Sequence, residues 1–247
     1  MLKVELHAHS ADDPIDRIPY STRDLIDRAA ALGYDAVAIT LHDRQLDVAP
    51  LRAYAAARGI TLIRGIERTV CDKHVLLLNF SEAAAEVATF DDIARLRVRE
   101  SGLVIAPHPF FPGGTALMDT LDEYAGLFDA IEWNAMFTRV VNFNARARRW
   151  AEEHGKPMVG NGDVHRLYQL GSCYSLVHAR RDPDAICDAI RAGRVQVTAR
   201  PISTLQAART VCELFGSDAA AWWRDLPASR PVHGLADQPA GVNFSSH

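Results

Sequence analysis

Cysteine is scarce in this chain of 247 residues, and the four present (Cys71, Cys173, Cys187, Cys212) show no CxxC spacing. That argues against a disulfide scaffold, and a core of this size needs no covalent staple. With no signal-peptide pattern at the start, the expectation is a cytoplasmic protein. No apolar run approaches the roughly 18 residues needed to span a bilayer, so no membrane partner is expected. Neither GxGxxG nor GxxxxGK[ST] follows an apolar run, which removes the usual dinucleotide and P-loop sites. Positive charge is not in excess either. The formal net charge is −4, and the densest basic stretch, Arg146-Ala147-Arg148-Arg149, is followed by Glu152-Glu153 and reads as a solvated helix face. Aromatic residues make up 8% of the chain. A groove that tracks and stacks single strands is not evident, and a nucleic-acid partner is not expected.

What the chain does have is histidine and carboxylate where short apolar runs end. In order these are Val4-Glu5-Leu6-His7-Ala8-His9, Ala36–Leu41 before His42-Asp43, Ile60–Ile66 before Glu67 with His74 soon after, Leu103–Ala106 before Pro107-His108, and Met158-Val159 before Gly160-Asn161-Gly162-Asp163-Val164-His165. Histidines at i and i+2 on an extended chain share a face, so His7 and His9 can reach one ion. In a barrel of parallel strands the C-terminal strand ends converge on one mouth. Imidazoles and carboxylates converging without thiolate are a ligand set for Zn, Mn or Fe.

Apolar runs alternate with helical patterns almost throughout. Ser21 offers a helix N-cap before Leu25, Ile26, Ala29 and Ala30, and Gly33, Gly59, Gly102 and Gly193 close successive helical stretches. The alternation implies an α/β fold with a parallel sheet, and roughly seven repeats favour a closed, irregular barrel. The expected organisation is a barrel over 1–203, a helical extension over 204–226 including a short helix at 219–224, and a loose tail over 227–247. The tail is rich in Pro, Ser, Gly and Ala.

His7-Ala8-His9-Ser10, Thr40-Leu41-His42-Asp43, Gly65-Ile66-Glu67, Ala106-Pro107-His108-Pro109 and Gly162-Asp163-Val164-His165 resemble, in order, the motifs of the PHP (polymerase and histidinol phosphatase) family. The resemblance implies a distorted (β/α)7 barrel, TIM-barrel-like, holding two or three divalent metal ions (Zn, Mn or Fe) and hydrolysing phosphoesters. Carried over by motif, His7, His9 and Asp163 bind a first ion. Glu67 bridges it to a second, held also by His74 and His108. His42 and His165 belong to a third position, with Asp13 as their acidic partner and Asp12 and Asp16 as alternatives. Glu67, Asp163 and His165 are then the catalytic candidates. Leu41 stands where the family commonly has aspartate. Arg44, Arg68 and Arg166 lie close to these residues in sequence and are candidate phosphate contacts, since guanidinium binds phosphate bidentately.

The leading expectation is therefore a metal-dependent phosphoesterase acting on a small phosphorylated metabolite, such as histidinol phosphate or a nucleotide. The alternatives are a nuclease acting on oligonucleotide ends, an amidohydrolase-like C–N hydrolase, and a non-catalytic metal-binding barrel. The sequence leaves the oligomeric state open.

Overall fold

The computed structural model describes residues 1–215 and 242–245. Along the chain the elements are β1 (Leu2–Glu5), α1 (Thr22–Ala31), β2 (Ala36–Ile39), α2 (Arg52–Ala56), β3 (Thr61–Val70), β4 (Lys73–Leu78), α3 (Phe90–Arg99), β5 (Leu103–Ala106), α4 (Thr120–Glu123), β6 (Ala130–Asn134), α5 (Asn144–Glu153), β7 (Met158–Asn161), β8 (Cys173–Val177), α6 (Pro183–Arg191), β9 (Val195–Ala199), α7 (Thr204–Phe215) and β10 (Val242–Ser245). Several helices start where side chains satisfy orphan backbone donors. Ser21 and Asp24 form a capping box at α1, and Thr89 and Asp92 form another at α3. Asp182 caps α6, with Pro183 in the first turn.

The strands form one sheet in the order β10-β9-β8-β1-β2-β3-β4-β5-β6-β7. The expectation of an all-parallel sheet needs correction. β1–β2–β3 and β5–β6–β7 are parallel, but β4 runs antiparallel to both neighbours, and β8 is antiparallel to β1 and β9. The cause at β4 is local. Cys71 and Asp72, at φ 48° and 62°, make a two-residue turn with positive φ at both positions, which folds β3 straight back on itself. A parallel return would require a crossover of a dozen residues or more.

The sheet curls until its two ends nearly meet. Ser175 of β8 supplies the seam, since its Oγ accepts from Gly160 N at 2.9 Å and donates to Gly160 O at 3.1 Å. A Cβ at Gly160 would come within 2.7 Å of Tyr174 O, so the strands approach this closely only with glycine there. One apolar cluster joins Val4, Ala38, Ile63, Leu76, Leu78 and Ile105 of the strands with Ile186, Ala189 and Ile190 of α6. α6 packs on β3, β5 and β8 at once, so it lies across one end of the barrel. Its Arg191 reaches Ser101 O and Gly102 O just before β5, which identifies that end as the one opposite the mouth. Each fully buried Leu or Ile in this plug contributes about 1.5–3 kcal/mol.

α7 matches the helix expected at the start of the 204–226 extension. The short helix expected at 219–224 lies outside the described residues. Of the segment 227–247, read from composition as a tail, Val242–Ser245 is described, and it pairs antiparallel with β9.

Candidate metal centre

The mouth is assembled from short backbone bridges between strand ends. Val164 N donates to His7 O and His9 N donates to Val164 O, both at 3.1 Å, so the His7/His9 and Asp163/His165 pairs are tied side by side. A second bridge pairs His42 with Glu67, through Glu67 N to Leu41 O at 3.1 Å and Asp43 N to Glu67 O at 2.9 Å. β3 continues to Val70, so Glu67 lies within a strand rather than at its end. His74 stands near the start of β4, opposite Thr69, and the reversed strand direction brings it to the same mouth.

Glu67 is the centre of the arrangement and is 1% exposed. Its Oε2 lies 3.0 Å from His7 Nε2, 3.3 Å from His9 Nε2 and 3.2 Å from His42 Nε2. Its Oε1 lies 2.7 Å from His74 Nδ1 and 3.1 Å from His108 Nε2. Asp163 Oδ1 lies 3.4 Å from His7 Nε2 and 3.4 Å from His165 Nδ1. Among the described residues, four sets of three donors fall within 4.8 Å of one another: His7/His9/Glu67, His7/His108/Asp163, His42/Glu67/His74 and His9/His42/His165. These residues could hold divalent cations.

The acidic loop after His9 sorts itself by contact. The Asp13 side chain is buried, and its Oδ2 lies 2.9 Å from His9 Nδ1 and 3.0 Å from His42 Nδ1. Asp16 Oδ2 lies 2.9 Å from His165 Nε2. Asp12 turns away, accepting from Thr22 Oγ1 at 2.9 Å.

Two features fit a cation here. His9 Nε2 and His74 Nδ1 are buried without a well-formed hydrogen bond, although Glu67 oxygens lie close by. An ion that displaced the proton there would give each of these nitrogens a partner. Second, His108 and Asp163 have positive φ, 29° and 48°, an arrangement that surrounding structure must hold in place.

Electrostatics follow from crowding. Burial opposes charge on His7, but Asp163, Glu67 and Glu132 outweigh it and raise its pKa well above the ordinary imidazole value. Burial likewise opposes charge on His9, and Asp13, Asp163 and Glu67 lift it to about 10. His108 is raised by Glu67 against its own burial. Conversely, burial would lift Glu67, yet His7, His74 and His108 hold it well below the usual carboxylate range. Asp163 is lowered in the same way by His7, His9 and His165. Glu5, beneath the mouth, is pushed up to about 8 by burial, which outweighs the backbone hydrogen bonds from Gly162 and His7 and the charge of His7.

Sequence reasoning passed over the support beneath these residues. Glu132 and Asn134 of β6, Asn161 of β7 and Glu5 of β1 are all buried. The available signal was a charged residue inside an apolar strand, Ala130-Ile131-Glu132-Trp133. The three candidate arginines have protein partners. Arg68 donates to Val87 O at 2.6 Å and Asp43 Oδ1 at 2.7 Å, and Arg44 donates to Asp12 O at 3.0 Å. Arg166 donates to His165 O at 2.8 Å and reaches Glu213 of α7. No described helix is long and apolar enough to cross a membrane.

The sequence pattern described as PHP-associated matches residues 141–195. No curated protein matches the chain. Among solved structures, a two-domain protein from Bacteroides vulgatus containing a predicted PHP-like metal-dependent phosphoesterase superposes with TM-score 0.61 at 20% identity, over 79% of this chain and 64% of that one. This chain thus spans less than two thirds of that protein. A candidate metal-dependent phosphoesterase from Bifidobacterium adolescentis gives 0.55 at 15% identity, over 82% and 98% of the two chains. Endonuclease Q, in complex with a 27-mer duplex substrate carrying an abasic lesion at the active site, gives 0.50 at 16% identity, over 78% and 56%. At these identities the likenesses speak for the fold. The matched segment is described as PHP-associated, and what this chain shares with these structures is the fold.

Proposed function

We propose that the protein is a metal-dependent phosphoesterase whose active centre is the mouth around Glu67. One observation carries this reading. A single buried carboxylate turns one oxygen to His7, His9 and His42 and the other to His74 and His108. In this reading Glu67 would bridge two cations, with His7, His9 and Asp163 as ligands on one side and His74 and His108 on the other. His42 and His165, with Asp16 beside His165, would line a third position, and Asp13, expected as a ligand there, stands behind His9 and His42 instead. When bound, such ions polarise a phosphoryl oxygen and activate water for in-line attack.

The chain's own residues hold that geometry and exclude competing contacts. Asp13 orients His9 and His42 from behind through their Nδ1 atoms, leaving Nε2 of each toward Glu67. Asp163, 24% exposed, and Asp16, 43% exposed, are the carboxylates open to an incoming substrate. Arg44, the most exposed of the three arginines, is the one free to swing toward a phosphate.

Within the phosphoesterase class we favour a small phosphomonoester, on the ground that a chain of net charge −4 offers no basic field to a polyanion. The second reading is a nuclease, and the likeness to endonuclease Q fits it equally well. The deciding experiment loads purified protein with Mn or Zn and assays phosphomonoesters, phosphodiesters and lesion-containing duplex DNA in parallel. Chelator-sensitive turnover of monoesters supports our reading, and turnover confined to DNA replaces it with the nuclease. Failure on every phosphoester would remove the phosphoesterase reading altogether.

A further inference from the structure

Glu132 is fully buried in β6, and its two oxygens face four donors. Oε1 accepts from His7 Nδ1 at 2.9 Å and Asn161 Nδ2 at 2.9 Å. Oε2 accepts from His108 N at 2.6 Å and Asn134 Nδ2 at 3.3 Å. A carboxylate has about four lone-pair directions, so all are engaged and none is left for an ion. Glu132 is therefore not itself a ligand.

Its partners stand on both sides of Glu67. We infer that Glu132 is a positioning residue that sets His7 and His108 for the two cation positions flanking Glu67. The inference rests on the cation-binding reading above.

At His7, Glu132 sets the tautomer. A carboxylate on Nδ1 requires a proton there, which leaves the Nε2 lone pair for a cation once one binds. That Nε2 lies 3.0 Å from Glu67 Oε2 and 3.4 Å from Asp163 Oδ1, on the first position. At His108, Glu132 holds the backbone. A histidine at φ 29° needs an external hold, and its N–H to Glu132 Oε2 is the shortest of the four bonds. The side chain so placed puts Nε2 3.1 Å from Glu67 Oε1, on the second position. Asn134 extends the same support, since its Nδ2 also donates to Asp163 Oδ2 at 3.1 Å. One side chain thus braces ligands on the strand ends after β1 and β5 directly, and through Asn134 the one after β7.

Glu132→Gln tests this. The amide fits the space, but its NH2 must face two of the four donors, so either the His7 side or the His108 side loses its acceptor. Zinc affinity of the full chain, measured by competition with a chromophoric chelator, should fall roughly 10–100-fold while the circular dichroism spectrum is unchanged. A residue that only fills the core would shift melting temperature and leave affinity alone. If wild-type binds zinc and folded Glu132→Gln binds it equally well, the inference on Glu132 fails and the metal reading stands. If wild-type binds no divalent ion, both fail. Should Glu132→Gln not fold, the imidazole 15N spectrum of the zinc-loaded wild-type decides. A slowly exchanging proton on His7 Nδ1 supports the inference, and a proton on Nε2 overturns it.

Discussion

His74 Nδ1 lies 2.7 Å from Glu67 Oε1, across a hairpin whose strands run in opposite directions. The reversal lets a residue near the beginning of β4 and one near the end of β3 meet at the same mouth. If His74 serves the second position, His74→Ala should remove about one ion per chain in elemental analysis. The metal-free fold should be little changed, because His74 is 14% exposed and its ring can be replaced by water. A variant retaining full metal content would show that the reversed strand places His74 there for another reason.

Glu67→Gln should have a larger effect. The substitution keeps the shape but removes the charge that offsets repulsion between two cations. Metal content should fall by about one ion, and turnover by roughly 10²-fold or more, the scale of losing a major electrostatic contributor. Equal metal content and equal rate in the variant would contradict the bridging role.

Much of this centre was legible in the sequence because its residues follow apolar runs whose extended conformation fixes their direction. His7 and His9 at i and i+2 and the Asp163/His165 pair are of this kind, and the structure gathers them with His42, Glu67, His74 and His108. Strand direction was not legible. The turn Cys71-Asp72 needs two positive φ values, and neither residue announces them as Asn-Gly would. β8 was missed because Cys173–Val177 is short and Ser175 interrupts its apolar run at the middle. The supporting carboxylates Glu5 and Glu132 were missed because each also needs a partner distant in sequence, Gly162 for Glu5 and His7 for Glu132.

The pKa shifts set a pH window for the metal-free protein. His7, His9 and His108 are raised by carboxylates, so their stabilising charge is fully present below their unfolded value near pH ~6.5 and is lost as pH rises, for His9 through about 10. Glu67 and Asp163 are lowered, so their contribution is present above their unfolded values near pH ~4 and is lost as pH falls. Metal-free protein should therefore melt highest between roughly pH 4.5 and 6.5 and fall in Tm toward pH 10. Bound divalent metal displaces those protons, so the loaded protein should show a much flatter alkaline limb. Calorimetric melts of both forms across pH 4–10 test this, and parallel alkaline limbs would count against the paired charges.

Gly160→Ala probes the seam of the barrel. The added Cβ would sit 2.7 Å from Tyr174 O and 2.9 Å from a Val197 methyl. The methyl can rotate away, whereas the carbonyl belongs to β8 and can move only with its strand. Overpacking of this kind costs roughly 1–3 kcal/mol, which should lower Tm by several degrees. Gly160 lies within four residues of Asp163, so metal affinity should weaken as well. An unchanged Tm would mean that the seam opens without cost.

The final expectation concerns β10. Its residues pair antiparallel with β9 from Val242 opposite Ala199 to Ser245 opposite Gln196, and β9's other edge is already bonded to β8. An uncovered β9 would present a row of unpaired backbone groups, the kind of edge that proteins protect. Truncation after Gly241 should therefore speed hydrogen exchange at the β9 amides that β10 covers. Amides of β2, at the far side of β1, should exchange as before. Turnover should stay within about twofold, since the pairing involves none of the residues around Glu67. Mass-spectrometric exchange on full-length and truncated protein reads both regions at once. Identical protection of β9 in the two would show that the pairing adds nothing to the edge. Loss of turnover would instead mean that the terminal segment reaches the mouth.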